Sequence, residues 1–133
     1  AWCYSKGDKF LFNSDDIRIE RKVKKNLRTG KEHTKGTIPT CVWEKNNHTT
    51  SKDHCGWHPT TKNLEILSRM IEAYSNENDT ILDIFMGSGS TAIACKLTNR
   101  NYIGCETNNN YIKLSKERID SYATNPTVTQ FLK

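Results

Sequence analysis

Hydrophobic and polar positions divide this chain near residue 57. Before it, polar and charged residues prevail, and apolar ones gather only in short strand-length runs: KFLF at 9–12, residues 17–19 and TCVW at 40–43. The stretch over residues 20–37 is too polar to bury much of itself and reads as a loop or an exposed hairpin. After residue 57 the pattern becomes regular. Leu64, Leu67, Met70, Ile71 and Tyr74 recur at the spacing of one helical face, with Pro59 near the start and SNENDT breaking the helix at its end. A strand is expected over 80–85, then a glycine turn, then a helix from about 91 to 97. A second strand at 102–105 precedes a closing helix over about 109–122, with Tyr111, Ile112, Ser115 and Ile119 on one face. Helix, strand, helix, strand, helix in succession predicts parallel strands joined by crossovers, hence an α/β fold with a doubly wound, Rossmann-like sheet.

Composition narrows the class. The 133 residues make one domain's worth of chain. No apolar run approaches the roughly 18 residues of a membrane span, and no basic-then-apolar leader opens the sequence. AWCYSKGDKF begins without an initiator Met, which fits a piece of something longer. A net charge of +5 and a pI near 9.0 lean towards a polyanionic partner. Seven basic residues crowd between Arg18 and Lys31 against one acid, Glu20. The five cysteines, Cys3, Cys41, Cys55, Cys95 and Cys105, lack CxxC spacing, which favours a reducing, cytoplasmic setting over a disulfide scaffold. Cys95 and Cys105 sit in apolar patterns where a buried free thiol is expected. Cys41, His48, His54, Cys55 and His58 match no compact zinc finger. Trp2, Trp43 and Trp57 read as packing residues.

The chemistry concentrates in TILDIFMGSGSTA, residues 80–92. Gly87 and Gly89 permit positive φ and a close approach of ligand to backbone. Ser90 or Thr91 is suited to capping the next helix, whose first amides attract a carboxylate or phosphate. Glu106, at the end of the second strand, is placed to accept hydrogen bonds from a ribose diol. GSGSTA also meets the looser G-x-G-x-x-A dinucleotide fingerprint, so by itself it fits NAD, another adenosine ligand, or a plain βα turn. No lysine follows the second glycine, which excludes a P-loop. Asp83, inside the strand, faces either a cationic amino-acid head or the backbone amides of the turn. In HPTTKNLEIL (58–67), Thr60 or Thr61 could cap the helix with Lys62 in water.

Taken together, HPTTK, LDIFMGSGST and NRNYIGCETNNNYI resemble the C-terminal half of the amino-methylating DNA methyltransferases. These are the N6-adenine and N4-cytosine enzymes whose catalytic motif precedes the cofactor motif. The resemblance is strong over about 57–120 and loose before it, through DDIR and PTCVW. It implies S-adenosyl-L-methionine as cofactor and a partial doubly wound sheet of the methyltransferase type with a basic N-terminal extension. Residues 1–56 would link to an upstream half, 57–122 would bind cofactor, and 123–133 would form a tail. Thr60, Thr61 and Lys62 would face the methionine end, with Lys62 near its carboxylate. Asp83, Phe85, Gly87, Ser88 and Gly89 would make the floor, Ser90 and Thr91 would open the helix there, and Glu106 would hold the ribose hydroxyls. The family's DPF is DIF here, and Ile84 suits a buried parallel strand.

Methylating an exocyclic amine requires a flipped base whose amino hydrogens are accepted in place. The family does so with (Asp/Ser/Asn)-Pro-Pro-(Tyr/Phe/Trp). The three prolines here, Pro39, Pro59 and Pro126, are nowhere adjacent, so no catalytic residue is assigned. The resemblance therefore implies the cofactor-binding part of a site-specific methyltransferase of restriction–modification type, acting on double-stranded DNA. Adenine N6 is favoured over cytosine N4. Such a chain would be inactive alone and completed by a missing segment or a partner chain. Arg18, Arg21, Lys22, Lys24, Lys25 and Arg28 would contact DNA phosphates, with a solvated loop as the alternative. Two other classes remain: an inert DNA-binding or regulatory module with a vestigial pocket, and an NAD-dependent oxidoreductase, against which HPTTK and Asp83 count.

Overall fold

The structure, a computed structural model, describes residues 6–20, 25–26, 28–32, 34–40 and 53–124. Helix α1 (Leu64–Tyr74) starts where the Asn63 side chain accepts the Ile66 amide, and the Asp53 carboxylate accepts that of Leu64 at 3.0 Å. Neither Thr60 nor Thr61 caps it; two longer acceptors that reach the first turn do. Its last turn is finished from outside. Asn13 donates its amide nitrogen to the carbonyls of Glu72 and Ser75, and its backbone N–H to Ala73 at 2.8 Å.

Strands β1 (Thr80–Asp83) and β2 (Asn101–Gly104) pair in parallel, Thr80 opposite Asn101 and Asp83 opposite Gly104. Helix α2 (Ser90–Leu97) crosses over between them, and α3 (Asn109–Thr124) follows β2. The architecture is α/β with a small parallel sheet, two strands among the described residues. The order expected after residue 57 is present. Both strands end sooner than the apolar pattern predicts, β1 because the Asp83 carboxylate accepts the Phe85 amide and turns the chain.

The core lies on one side of the sheet. Ala92, Ile93, Ala94 and Cys95 at the centre of α2 are fully buried, Ile93 clustering with Leu64, Met86 and Ile119, and Cys95 with Ile71. Burial pushes the Cys95 thiol up to about 11. Ile81 faces these helices, while on the opposite face Leu82 is 62% and Ile103 is 56% exposed. Ile84, expected within a buried strand, lies in the turn and is 57% exposed. Cys105 is likewise exposed rather than buried, because it falls just past the end of β2.

The N-terminal part departs from its strand-like reading. Residues 9–12 form no strand, and Phe12 instead lies against Tyr74 with ring centroids 5.6 Å apart. Residues 14–17 form a turn, and Ile19 makes a single bridge to Thr37. That bridge and a second, Lys25 to Glu32, are antiparallel pairings of the kind an exposed hairpin makes, one of the two forms expected for 20–37. Of the run at 40–43 only Thr40 is among the described residues; Cys3, Cys41, His48, Trp2 and Trp43 lie outside them. No helix of the described residues is long and apolar enough to cross a membrane.

Candidate functional site

The turn between β1 and α2 is tied down by the residue before it. Asp83 accepts the Phe85 amide at 3.0 Å and the Thr91 hydroxyl at 2.6 Å, strapping the strand end to the first turn of α2. These bonds answer the cost of placing a carboxylate beside the core. Gly87 and Gly89 hold φ of 50° and 78°. A Cβ on Gly87 would stand 2.8 Å from His58 Nε2, and one on Gly89 would stand 3.0 Å from Ile119 Cδ1. Glycine is therefore favoured by backbone conformation at both positions, and a side chain on Gly87 would also have to displace His58.

Helix α2 begins after Gly89, which brings no side chain to its first amides. Neither Ser90 nor Thr91 is the cap. Ser90 is the first helical residue, its hydroxyl 3.1 Å from that of Ser88, and Thr91 is held by Asp83. The positive end of the helix dipole thus carries no side-chain cap.

Glu106 spans the gap from β2 to this turn. Its Oε2 accepts the Gly87 amide at 3.0 Å, and its Oε1 accepts those of Thr107 and Asn108 at 2.9 Å each. The Asn108 amide foremost, then those of Gly87 and Thr107, with nearby His58, hold the carboxyl below the ordinary glutamate range against opposing desolvation. Beside it opens a cavity of about 380 Å³, lined by Met86, Tyr102, Gly104, Cys105 and Glu106 with Ile112, Ser115, Lys116 and Ile119 of α3.

The HPTTK segment meets the turn through its histidine. His58 packs on Tyr111 with centroids 4.7 Å apart, and Trp57 stands 6.0 Å from the same ring. Thr61 is buried, its hydroxyl donating to the His58 carbonyl and lying 3.0 Å from Cys55 Sγ, so it shapes the loop from inside. Thr60, Lys62 and Phe85 are exposed, Phe85 by 84%. At Gly87 the HPTTK segment, through His58, comes up against the glycine turn, and Glu106 accepts the amide of the same residue.

The basic run is used differently along its length. Arg18 donates to Asp15 at 2.6 Å and to the Gly36 carbonyl at 2.9 Å, and Lys25 pairs with Glu32 at 3.8 Å. Arg28 is exposed, and Arg21, Lys22 and Lys24 lie outside the described residues. Sequence reasoning missed the packing roles of His58 and Tyr111 and the bonds made by Asp53 and Arg118. The first two stood in motifs already singled out. The last two meet each other across 65 residues, and Arg118 meets Ser88 across 30, which leaves no local signal.

Residues 1–117 match the family model described as DNA methylase. The chain is 41% identical over 114 residues to Type II methyltransferase M.HpaI of Haemophilus parainfluenzae, covering 85% of this chain and 35% of that one. It is 34% identical over 120 residues to DNA adenine methyltransferase YhdJ of Escherichia coli K12, covering 84% and 40%. Among solved structures, the M1.HpyAVI–SAM complex aligns at 44% identity and a TM-score of 0.45, over 46% of this chain and 32% of that one. The chain therefore spans two fifths or less of the length of these relatives.

Proposed function

This chain belongs to the DNA methylase family of N6/N4 type, and from that premise we propose that it binds S-adenosyl-L-methionine as part of a site-specific DNA methyltransferase acting on an exocyclic amino group. The observation that carries the reading is the meeting at Gly87 of His58 and Glu106, which joins the HPTTK segment, the glycine turn and the end of β2 in one site.

The residues present fit that cofactor. The start of α2 has no side-chain cap, so its first amides suit a carboxylate. Thr60 and Lys62, exposed at the edge of the loop, attract the same group. Thr61 fixes the loop. Asp83 keeps lone pairs beyond its two bonds and turns them to the methionine ammonium, with Phe85, Gly87, Ser88 and Gly89 as the floor and Ser90 and Thr91 opening the helix. Glu106 stays charged and offers its remaining acceptor capacity to the ribose diol. When bound, the cofactor supplies an electrophilic methyl group for displacement by the amine. The similarity to an adenine methyltransferase supports adenine N6 as acceptor.

No Pro-Pro-aromatic motif occurs in the chain, so the groups that hold the flipped base come from another segment or a partner chain. The division into a linking part (1–56), a cofactor part (57–122) and a tail (123–133) follows from that reading. Further strands beside β2 would fill the cavity under α3. Lys25 and Arg28, with Arg21, Lys22, Lys24 and Arg18, would meet phosphates of double-stranded DNA. The same missing motif favours a second reading, an inert DNA-binding module with a vestigial pocket.

Calorimetric titration with S-adenosylmethionine, its demethylated product and NAD tests this. Selective binding of the first two is expected, weakened about tenfold by Glu106→Ala. Binding of NAD alone would overturn the reading, and binding of none would favour the inert module.

A further inference from the structure

Arg118 belongs to none of the motifs, yet its guanidinium reaches two distant segments. From α3, Nη1 donates to the Ser88 carbonyl at 2.8 Å and to the Ser90 hydroxyl at 3.1 Å, while Nη2 donates to the Asp53 carbonyl at 2.8 Å. The group also lies 5.7 Å from the centre of the Tyr122 ring. Asp53 in turn caps α1 through its carboxylate on the Leu64 amide. A continuous line of hydrogen bonds thus runs from the glycine turn, through Arg118 and Asp53, to the helix that follows HPTTK.

A surface arginine would leave its donors to water. This one is half-buried, and two of its acceptors, the Ser88 carbonyl and the Ser90 hydroxyl, belong to buried residues. The planar fork of arginine serves carbonyls in different directions at once, which the single ammonium of lysine does not. Bonds from a charged donor in a partly dry site are also stronger than neutral ones.

We propose that Arg118 is a positioning residue: it fixes the glycine turn at the right distance from the HPTTK loop and so sets the fit for the methionine end of the cofactor. This deepens the cofactor reading and rests on it. Glu106 takes two of its three bonds from Thr107 and Asn108, away from the Arg118 contacts, and only the third from Gly87 beside Ser88. Loss of Arg118 should therefore act on the amino-acid end of the ligand and spare the adenosine end.

The test compares the unaltered chain with Arg118→Ala, Arg118→Lys and Arg118→Gln by titration with S-adenosylmethionine and with adenosine, and by amide hydrogen exchange. S-adenosylmethionine should bind about tenfold more weakly to all three variants, and adenosine within about threefold of its original affinity. Exchange should quicken at 53–64 and 87–91 while the centre of α2 stays protected. Unchanged S-adenosylmethionine affinity in any folded variant would overturn the proposal. So would equal losses for both ligands with faster exchange throughout, the signature of a general scaffold residue. If the unaltered chain binds neither ligand, the cofactor reading fails, and exchange decides the clasp: local acceleration supports it, and unchanged or uniform exchange overturns it.

Discussion

Gly87 is where three stretches far apart in sequence touch: its own turn, His58 before α1 and Glu106 after β2. The carboxylate of Glu106 draws three amides together, and they hold its pKa below the ordinary glutamate value. A depressed carboxylate stabilises the fold above its unfolded pKa, and that contribution fades as pH falls through the folded pKa. Denaturant unfolding of the native chain and of Glu106→Gln should therefore differ most at neutral pH. The gap should close as pH drops from the ordinary glutamate value through the depressed one. A gap that stays constant on acidification would mean that shape, not charge, organises the turn. At this scale the sequence was legible wherever residue type alone carries the chemistry, as with Gly87, Gly89 and Glu106. It misled about caps. Thr60, Thr61, Ser90 and Thr91 all have hydroxyls suited to capping, but other partners engage three of them, and the N-cap positions fall to Asn63 and Gly89.

Among the elements, α1 shows why the periodic half of the chain was readable and the rest was not. Its apolar face repeats every turn and could be read without neighbours. Its ends are completed by Asp53 and Asn13, from segments with no periodic signal. The short runs at 9–12 and 17–19 have strand composition but, among the described residues, pair with nothing beyond the single bridge of Ile19 to Thr37, so they turn and pack instead. Asn13 gives the quantitative test. Asn13→Ala removes two side-chain bonds to the carbonyls of Glu72 and Ser75 and should cost about 2 kcal/mol of stability by chemical denaturation. A loss under about 0.5 kcal/mol would mean that water completes the helix end equally well.

For the whole molecule, the decisive feature is that, among the described residues, helices clothe the sheet on one side only. Parallel sheets are normally covered on both faces, because their strands lack a wet side. Here Leu82 and Ile103 stand on the bare face, with Ile84 and Phe85 exposed at its upper end. Such a surface invites either the remainder of a larger fold or another copy of the same chain. The double substitution Leu82→Ser, Ile103→Ser separates what this face does within the chain from what it does between chains. If it awaits a partner, the unaltered chain should self-associate with rising concentration in analytical ultracentrifugation, and the double variant should sediment as a monomer. Its unfolding free energy should stay within about 0.5 kcal/mol per site, as for other exposed positions. A loss of about 2 kcal/mol or more would carry the cost of truncating buried side chains. The face would then already be covered by the chain itself, and a split fold completed in trans would lose its structural basis.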